Sequence, residues 1–153
     1  MSESEHNPEE IGRWMAAEDR FARHLGIELQ AVAEGYSRAS LRVTGDMLNA
    51  VGLTHGGVTF GLADFAFAVA SNSHGQVAVA LSAQINYPAA SREGDRLTAE
   101  AREESLSRRT ALYRVEIRTD QGQLVGLFNG TVFRRQDRLS DWIEGEKSHD
   151  SAQ

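Results

Sequence analysis

The sequence predicts an α+β chain: a curved antiparallel sheet wrapped around one long, buried central helix. Three observations predict it. Residues 58–73, VTFGLADFAFAVASNS, are apolar on every face of a helix, and such a helix must be enclosed rather than laid on a surface. Four stretches of strand-like alternation follow with short links, which argues for antiparallel pairing rather than βαβ winding. Between Asp46 and Arg92 lie 45 residues with one charged side chain, Asp64, where average usage would place about 11. So depleted a stretch reads as interior.

The elements can be justified in order. Asn7-Pro8-Glu9-Glu10 has the form of a helix start, with Asn7 as N-cap, Pro8 in the first turn and acids at the positive end of the dipole. Ile11, Trp14, Met15, Phe21, Ala22 and Leu25 then recur near helical spacing, and Gly26 ends the helix. Strands are expected at 27–33 and 36–43, joined at Glu34-Gly35; in the second, Ala39, Leu41 and Val43 alternate with Arg38, Ser40 and Arg42. Residues 44–57, TGDMLNAVGLTHGG, read as a long loop before the buried helix, which stops at His74-Gly75. The strand 77–87 puts Val77, Val79, Leu81, Ala83, Ile85 and Tyr87 on one face and is halted by Pro88. Two further strands alternate through Leu97, Ala99 and Ala101 and through Ala111, Tyr113, Val115 and Ile117. The turn Asp120-Gln121-Gly122 leads into the last, 124–134. Trp142-Ile143 predicts a short helix docked on the body.

The 153 residues fit one domain with a real core. The net charge of −6 sits at the ends: residues 1–10 carry −4 and 137–153 carry −3, which leaves the body near neutral. The expected organisation is a disordered acidic N-terminus over 1–8, a folded body over 9–135 and a polar acidic tail over 136–153. A near-neutral body offers no field for a nucleic-acid backbone. Zero Cys removes disulfides, thiolate catalysis and Cys-bound zinc. The five His are scattered without HxxxH or HxH spacing, so no metal site is expected. No apolar run approaches the ~20 residues of a membrane span, and the N-terminus lacks the apolar core of a secretory signal. The expectation is a soluble, cytoplasmic protein with neither membrane nor nucleic-acid partner. Neither a GxSxG elbow nor a phosphate-binding GxxxxGK[ST] loop is present.

Two features could carry chemistry. Asp64 is a lone carboxylate in an interior segment, where an unpaired charge is costly and burial raises the pKa towards that of a base near neutral pH. It could activate water or attack an acyl carbon itself; the plainer alternative is a buried Asp satisfied by hydroxyl or backbone groups. His55-Gly56-Gly57 stands at the helix entry, where outward N–H groups carry the positive end of the dipole and glycines admit a carbonyl oxygen closely. Here the plainer alternative is that the glycines only shape the turn. Gly56 and Asp64 are eight residues apart, or ~10–12 Å along a helix, whereas a donor and a base acting on one carbon each need to be ~3 Å from it. One chain hardly brings them together. Two antiparallel helices in a dimer can set Gly56 of one chain opposite Asp64 of the other.

Asn49, the triplet His55-Gly56-Gly57, and Asp64 within Leu62-Ala63-Asp64 together resemble the acyl-CoA thioesterases of the hotdog fold, most closely the PaaI-like, phenylacetic-acid-degradation type. The resemblance covers roughly residues 10–134, and its specific part is 47–75. It implies a hotdog fold and hydrolysis of an aryl- or short- to medium-chain acyl-CoA, such as phenylacetyl-CoA, to a free acid and CoA. It places the oxyanion contact at Gly56 and the catalytic acid at Asp64. It sets Asn49 beside the reacting water or carbonyl, and His55 near the thioester or holding the loop. Anchoring a loop is also the common role of a lone His, and Asn49 could equally hold an Asx turn. The family implies a homodimer that forms the active site, often within a homotetramer, and no cofactor beyond the CoA of the substrate. Gly57 and Phe60 are candidate substrate contacts, with Leu53, Phe65 and Phe67 as further acyl-pocket walls. Asn72 and Ser73 could line the pantetheine path or cap the helix. CoA phosphates call for arginines, and Arg92, Arg108, Arg109, Arg134 and Arg135 stand at turns or strand ends. Two other readings are a non-catalytic acyl-CoA binding protein and a hotdog hydratase or dehydratase. The latter usually has a His a few residues after its Asp; here none follows Asp64 until His74.

Overall fold

The computed structural model describes residues 6–145. Residues 1–5, most of the N-terminal segment expected to be disordered, and 146–153, the end of the acidic tail, lie outside the described residues. Helix α1 spans Pro8–Glu18, with the Asn7 side chain accepting from the Glu10 N–H at 2.9 Å. The single helix expected up to Leu25 is broken at Asp19. That residue turns extended and its carboxylate accepts from the Ala22 N–H, so it closes α1 and caps α2, Arg20–His24. A short acidic side chain at such a point competes for backbone donors that would otherwise continue the helix. Strands β1 (Glu28–Ala33) and β2 (Tyr36–Arg42) meet in a turn in which Gly35 adopts φ +70°, a conformation suited to glycine.

Helix α3 spans Gly56–Asn72. It is followed by β3 (Gln76–Asn86), β4 (Arg96–Leu106), β5 (Thr110–Thr119), β6 (Leu124–Arg138) and α4 (Leu139–Ile143). The six strands form one antiparallel sheet in the order β1-β2-β4-β5-β6-β3. The α3 helix lies in its curve. Leu62, Ala63, Ala66, Phe67, Val69 and Ala70 are buried against Ala39, Leu41, Ala99, Ala101, Val115 and Phe128 of the sheet. Small residues let the layers close: a Cβ on Gly130 would stand 2.6 Å from the Phe67 ring, and one on Gly61 would stand 3.0 Å from Phe21 of α2. The Ser37 hydroxyl donates to the Ala66 carbonyl at 2.6 Å and ties β2 to the middle of α3. Burial of each Phe or Leu here stabilises the fold by about 2–3 kcal/mol.

Three expectations are corrected. First, β6 runs to Arg138 rather than Arg134, and α4 follows it. Residues 136–143 are thus part of the folded body, with Leu139, Trp142 and Ile143 packed on Ile11, Trp14 and Val77. Second, β3 does not keep one face. Its pairing with β6 slips between Ala80 and Ser82, so Ala80 lies opposite the buried Val132 but Ile85 opposite the buried Phe128. Such a bulge exchanges the two faces of a strand. Third, the charge-poor stretch is not interior throughout. β3 is exposed from Val79 to Gln84, and Val79 and Leu81 remain 41% and 60% accessible. Among the described residues no helix is long and apolar enough to cross a membrane.

Candidate active site

The helix starts two residues before the expected 58 because His55 caps it. The imidazole Nδ1 accepts from the Gly57 N–H at 2.9 Å, which leaves the proton of the neutral ring on Nε2. A Cβ on Gly57 would be 3.0 Å from that nitrogen, so the glycine belongs to the cap. The Val58 N–H is used as well, by the His55 carbonyl at 2.9 Å, and His55 itself is anchored by its N–H to the Met47 carbonyl at 2.8 Å. The Gly56 N–H, by contrast, has no acceptor among the described residues. Two glycines that look equivalent in sequence are thereby separated: one amide holds the histidine, and the other is free at the positive end of a 17-residue helix.

Asn49 is divided in the same way. Its Oδ1 accepts from the Val51 and Leu53 N–H groups at 3.0 and 3.1 Å, an Asx turn that shapes the loop before α3. Its Nδ2 makes no hydrogen bond among the described residues, and Asn49 lines a cleft of about 460 Å³ together with Gly56. The β3–β4 connection supplies the facing wall. Because β3 joins the sheet beyond β6, this connection must cross the end of the sheet, and it passes the start of α3. There the Tyr87 hydroxyl donates to the Gly56 carbonyl at 2.9 Å, and a Cβ on Gly56 would press to 3.2 Å from the Tyr87 ring. Ser91 accepts from the Thr54 N–H through its carbonyl at 3.0 Å and donates through its hydroxyl to Thr54 Oγ1 at 2.7 Å. Leu53, Ala89 and Val125 give the cleft its apolar side. Tyr87 and Ser91 were not among the sequence-derived candidates. Pro88 signalled only that the strand stops, not what its exit would face.

Asp64 is not in this cleft. It lies two helical turns beyond Gly56, about 12 Å along the axis, and within one chain it is exposed rather than buried. The expectation of an enclosed carboxylate is corrected for the single chain: Asp64 occupies the one strip of α3 that neither the sheet nor α2 covers. The plainer reading also fails, since the carboxylate accepts no hydrogen bond among the described residues. Packed neighbours on the protein side desolvate it and, with a smaller push from the negative charge of Asp19, raise its pKa above the usual carboxylate range.

The other candidates separate by position. Phe60 packs edge-on against Phe128, with centroids 5.4 Å apart, and Phe65 and Phe67 are core; none of them lines the cleft, whereas Leu53 does. Asn72 is buried and fully engaged. Its Nδ2 donates to the Ala68 carbonyl at 2.8 Å and its Oδ1 accepts from the Ala78 N–H at 3.0 Å, so it fastens α3 to β3 and does not face a substrate path. Ser73 caps, donating to the Ala70 carbonyl and accepting from the Gly35 N–H. Arg135 is paired with Asp137 at 2.8 Å. Arg92 directly follows Ser91 of the cleft wall and is exposed. Arg108 and Arg109 are instead at the opposite end of β3, near Gln76, roughly 33 Å of strand away from Tyr87, and cannot serve the cleft of their own chain. Among the described residues no three His, Asp or Glu side chains gather as a metal site would require.

A free helix-start amide in a cleft, a lone acid two turns on and a sheet curled around that helix define a class of proteins, and comparison with known proteins gives the same one. Residues 51–126 match the thioesterase superfamily model. The acyl-coenzyme A thioesterase PaaI of Escherichia coli is 38% identical over 132 residues, covering 86% of this chain and 91% of its own length. Its structure, from the phenylacetic acid degradation operon, superposes with a TM-score of 0.85, at 36% identity, over 88% of this chain and 97% of that one. An Archaeoglobus fulgidus protein described as a putative esterase is 40% identical over 82% of both chains. A Streptococcus mutans protein bound to acetyl CoA superposes with a TM-score of 0.71 at 28% identity, over 73% of this chain and 90% of that one. The chain belongs to the thioesterase superfamily, as a PaaI-like member with the hotdog fold. It is a thioester hydrolase.

Proposed function

We propose that the protein hydrolyses acyl-CoA thioesters in sites shared between two chains of a homodimer, the Gly56 N–H of one chain and Asp64 of the other acting on the same carbonyl. The observation that carries the reading is the unbonded Gly56 N–H lining a cleft at the start of α3. It is preorganised for an oxyanion, and such a donor contributes most where negative charge develops. In the proposed reaction Asp64 takes a proton from water and the hydroxide adds to the thioester carbon. The charge gathers on the carbonyl oxygen against Gly56. The C–S bond then breaks, and the departing thiolate takes up a proton. Direct attack by the carboxylate would give the same products through an anhydride. The raised pKa of Asp64 suits a base. Water is the only co-substrate, and no cofactor is needed.

The shared site follows from distance, because one chain keeps Gly56 and Asp64 about 12 Å apart. It is supported by β3, an 11-residue uncharged edge strand with its outer side open, which a second β3 in antiparallel register would complete. The acyl group we propose is an arylacetyl or short- to medium-chain one, which a cleft of about 460 Å³ with Leu53, Ala89 and Val125 on its apolar side would hold. The name and operon of the Escherichia coli relative support phenylacetyl-CoA as the first compound to try. We place the enzyme in the cytoplasm, as a homodimer or a homotetramer built from it. The test is thiol release over a panel of acyl-CoA esters. Asp64→Ala should abolish turnover, and undiminished turnover would refute its role. Gly56→Pro removes the donor at a helix position whose backbone accepts proline and should lower kcat by about 10²- to 10³-fold, and Gly56→Ala, which keeps the donor but adds the same 3.2 Å contact with Tyr87, measures the steric part of that loss. Mixed dimers of Asp64→Ala and Gly56→Pro should regain one site in two, and no regain would count against sharing.

A further inference from the structure

The Gly56 cleft contains one polar side chain that the reaction above does not use. Of those on its wall, Thr54 and Ser91 are bonded to each other, Tyr87 to the Gly56 carbonyl, and Asn49 through its Oδ1 to the loop before α3. Thr59, on the same wall, alone makes no side-chain hydrogen bond among the described residues, although it is only 4% exposed. A serine or threonine inside a helix commonly turns its hydroxyl back to a carbonyl three or four residues earlier, as Ser71 does to Ala68 at 3.2 Å. Thr59 does not. Its methyl group is committed to the sheet, since a Cβ on Gly126 of β6 would stand 3.1 Å from Thr59 Cγ2. With that branch packed on β6, the hydroxyl is the branch left for the cleft. A nearly buried hydroxyl without a partner is costly, and a ligand that supplies the bond removes the cost.

Its position says which part of a ligand it meets. Thr59 follows Gly56 by three residues, so it stands on the same face of α3, ~4.5 Å further along the axis. The Gly56 N–H points the other way, out of the helix start, with an oxyanion ~3 Å beyond it. The two intervals together set the Thr59 hydroxyl about 7 Å from the carbonyl oxygen of a bound thioester, at the outer part of the acyl group rather than at the reacting carbon. We propose that Thr59 is a specificity-determining residue, whose hydroxyl hydrogen-bonds an oxygen carried on the distal part of the acyl group and so favours acyl-CoA esters with a distal hydroxyl or keto oxygen over hydrocarbon ones of the same size. This rests on the thioesterase reading above and deepens it: Gly56 addresses the carbonyl, and Thr59 reads what the acyl group bears further out.

The test uses Thr59→Val, which keeps the methyl against Gly126 and removes only the hydroxyl. The substrates are 6-hydroxyhexanoyl-CoA and heptanoyl-CoA, equal in size and different only in a terminal hydroxyl or methyl, on a chain flexible enough for its end to reach the side chain. In Thr59→Val, KM for the hydroxylated ester should rise about three- to tenfold at unchanged kcat, because the bond is made equally in ground and transition states. Heptanoyl-CoA should be hydrolysed as well as before or better. Thr59→Ser keeps the hydroxyl and should keep the wild-type ratio of kcat/KM between the two esters. The melting temperature of Thr59→Val should hold or rise, since an unpaired hydroxyl gives way to an apolar group of the same shape. A hydroxyl with a purely structural role would lower it and weaken both esters alike, and a ratio unmoved by Thr59→Val would overturn the proposal. Calorimetry with the non-hydrolysable thioethers S-(6-hydroxyhexyl)-CoA and S-heptyl-CoA separates the two possible failures. If the wild-type protein hydrolyses neither ester, the thioesterase reading falls. Tighter binding of the hydroxylated thioether by wild type than by Thr59→Val would then still uphold the role of Thr59, and equal binding would end it. Hydrolysis of both esters at a ratio that Thr59→Val does not change would leave the thioesterase reading intact and remove Thr59 from recognition.

Discussion

Helix α3 and strand β3 adjoin in sequence, lack charge apart from Asp64 and have much the same apolar content, yet one is sealed and the other is open. α3 is buried along nearly its whole length, while β3 exposes six consecutive residues. The difference is one of completion. A helix satisfies its own backbone and needs only an apolar envelope, which the sheet provides within the chain. A strand at the edge of a sheet leaves a row of N–H and C=O groups unpaired, and proteins that keep such an edge free in solution blunt it with charge, proline or brevity. β3 has no charge and no proline, and it is 11 residues long. Absence of charge therefore marks two kinds of surface: one closed by its own chain, and one suited to closure by another.

The strongest way to break this comparison is to put the same insult into both elements. Ala66 is fully buried under the sheet, and Ala66→Glu places an unpaired carboxylate there. The expected cost is about 4 kcal/mol or more, comparable with the stability of a domain this size, and circular dichroism should show loss of fold. Leu81→Lys at the middle of β3 should leave the fold and its melting cooperative. Sedimentation should instead shift from dimer to monomer, with thioesterase activity lost alongside. A Leu81→Lys protein that stays dimeric and active would remove β3 from the interface and with it the proposed sharing of sites.

The same contrast explains how much was legible in the sequence. The envelope of α3 could be read because helical periodicity and burial are local: residues 58–73 carry one charged side chain, and their apolar residues fall on every face of a helix. The role of β3 could not. The bulge at Ala80–Ser82 depends on pairing with β6, nearly fifty residues later, and its effect is to reverse the face that simple alternation assigns. Asp19 is a similar case, since helical spacing of apolar residues continues past it while its side chain breaks the helix. At the candidate site, the triplet at 55–57 and the acid at 64 stood out by type and spacing. What separated Gly56 from Gly57 was a hydrogen bond to His55, and Tyr87 and Ser91 came from a crossing connection that follows from strand order. For Asn72 the sequence left a cap and a ligand contact both open, because a buried amide at a helix end has the same residue type whether it faces a ligand or a neighbouring strand; its bonds to the Ala68 carbonyl and the Ala78 N–H show the structural role.

A smaller effect sharpens the account of how α3 is sealed. Gly130 of β6 lies directly against the Phe67 ring, which also touches Tyr113 and Phe128 at centroid separations of 5.7 and 5.3 Å. Gly130→Ala would add a methyl group 2.6 Å from ring atoms that have no free direction in which to move. Overpacking of this kind costs about 1–3 kcal/mol, read as a lower urea midpoint at constant m-value. A comparably small change in the open element, Ser82→Ala in β3, should alter the unfolding free energy by less than about 0.5 kcal/mol. Equal losses at the two positions would contradict the distinction between a closed and an open surface.

The smallest effect concerns the one polar side chain of α3 that the chain leaves uncovered. Desolvation and, secondarily, the charge of Asp19 hold the Asp64 pKa above the ordinary carboxylate value. If Asp64 acts as the base, kcat/KM requires its ionised form, so the acid limb of the pH profile should lie above pH ~4. Asp19→Asn removes the neighbouring charge but keeps an oxygen to accept from the Ala22 N–H, so the α2 cap and the melting temperature should persist. With that charge gone the ionised form of Asp64 becomes easier to reach, and the limb should move to lower pH. The stability profile has a matching sign. A folded-state pKa above the unfolded one means that the folded chain holds the Asp64 proton more tightly, so its contribution is present below the unfolded pKa and is lost as pH rises through the folded one. Asp19→Asn should flatten that decline as well. An acid limb that stays in place in a fully folded Asp19→Asn enzyme would show that the group titrating in catalysis is not Asp64 in the electrostatic setting described here.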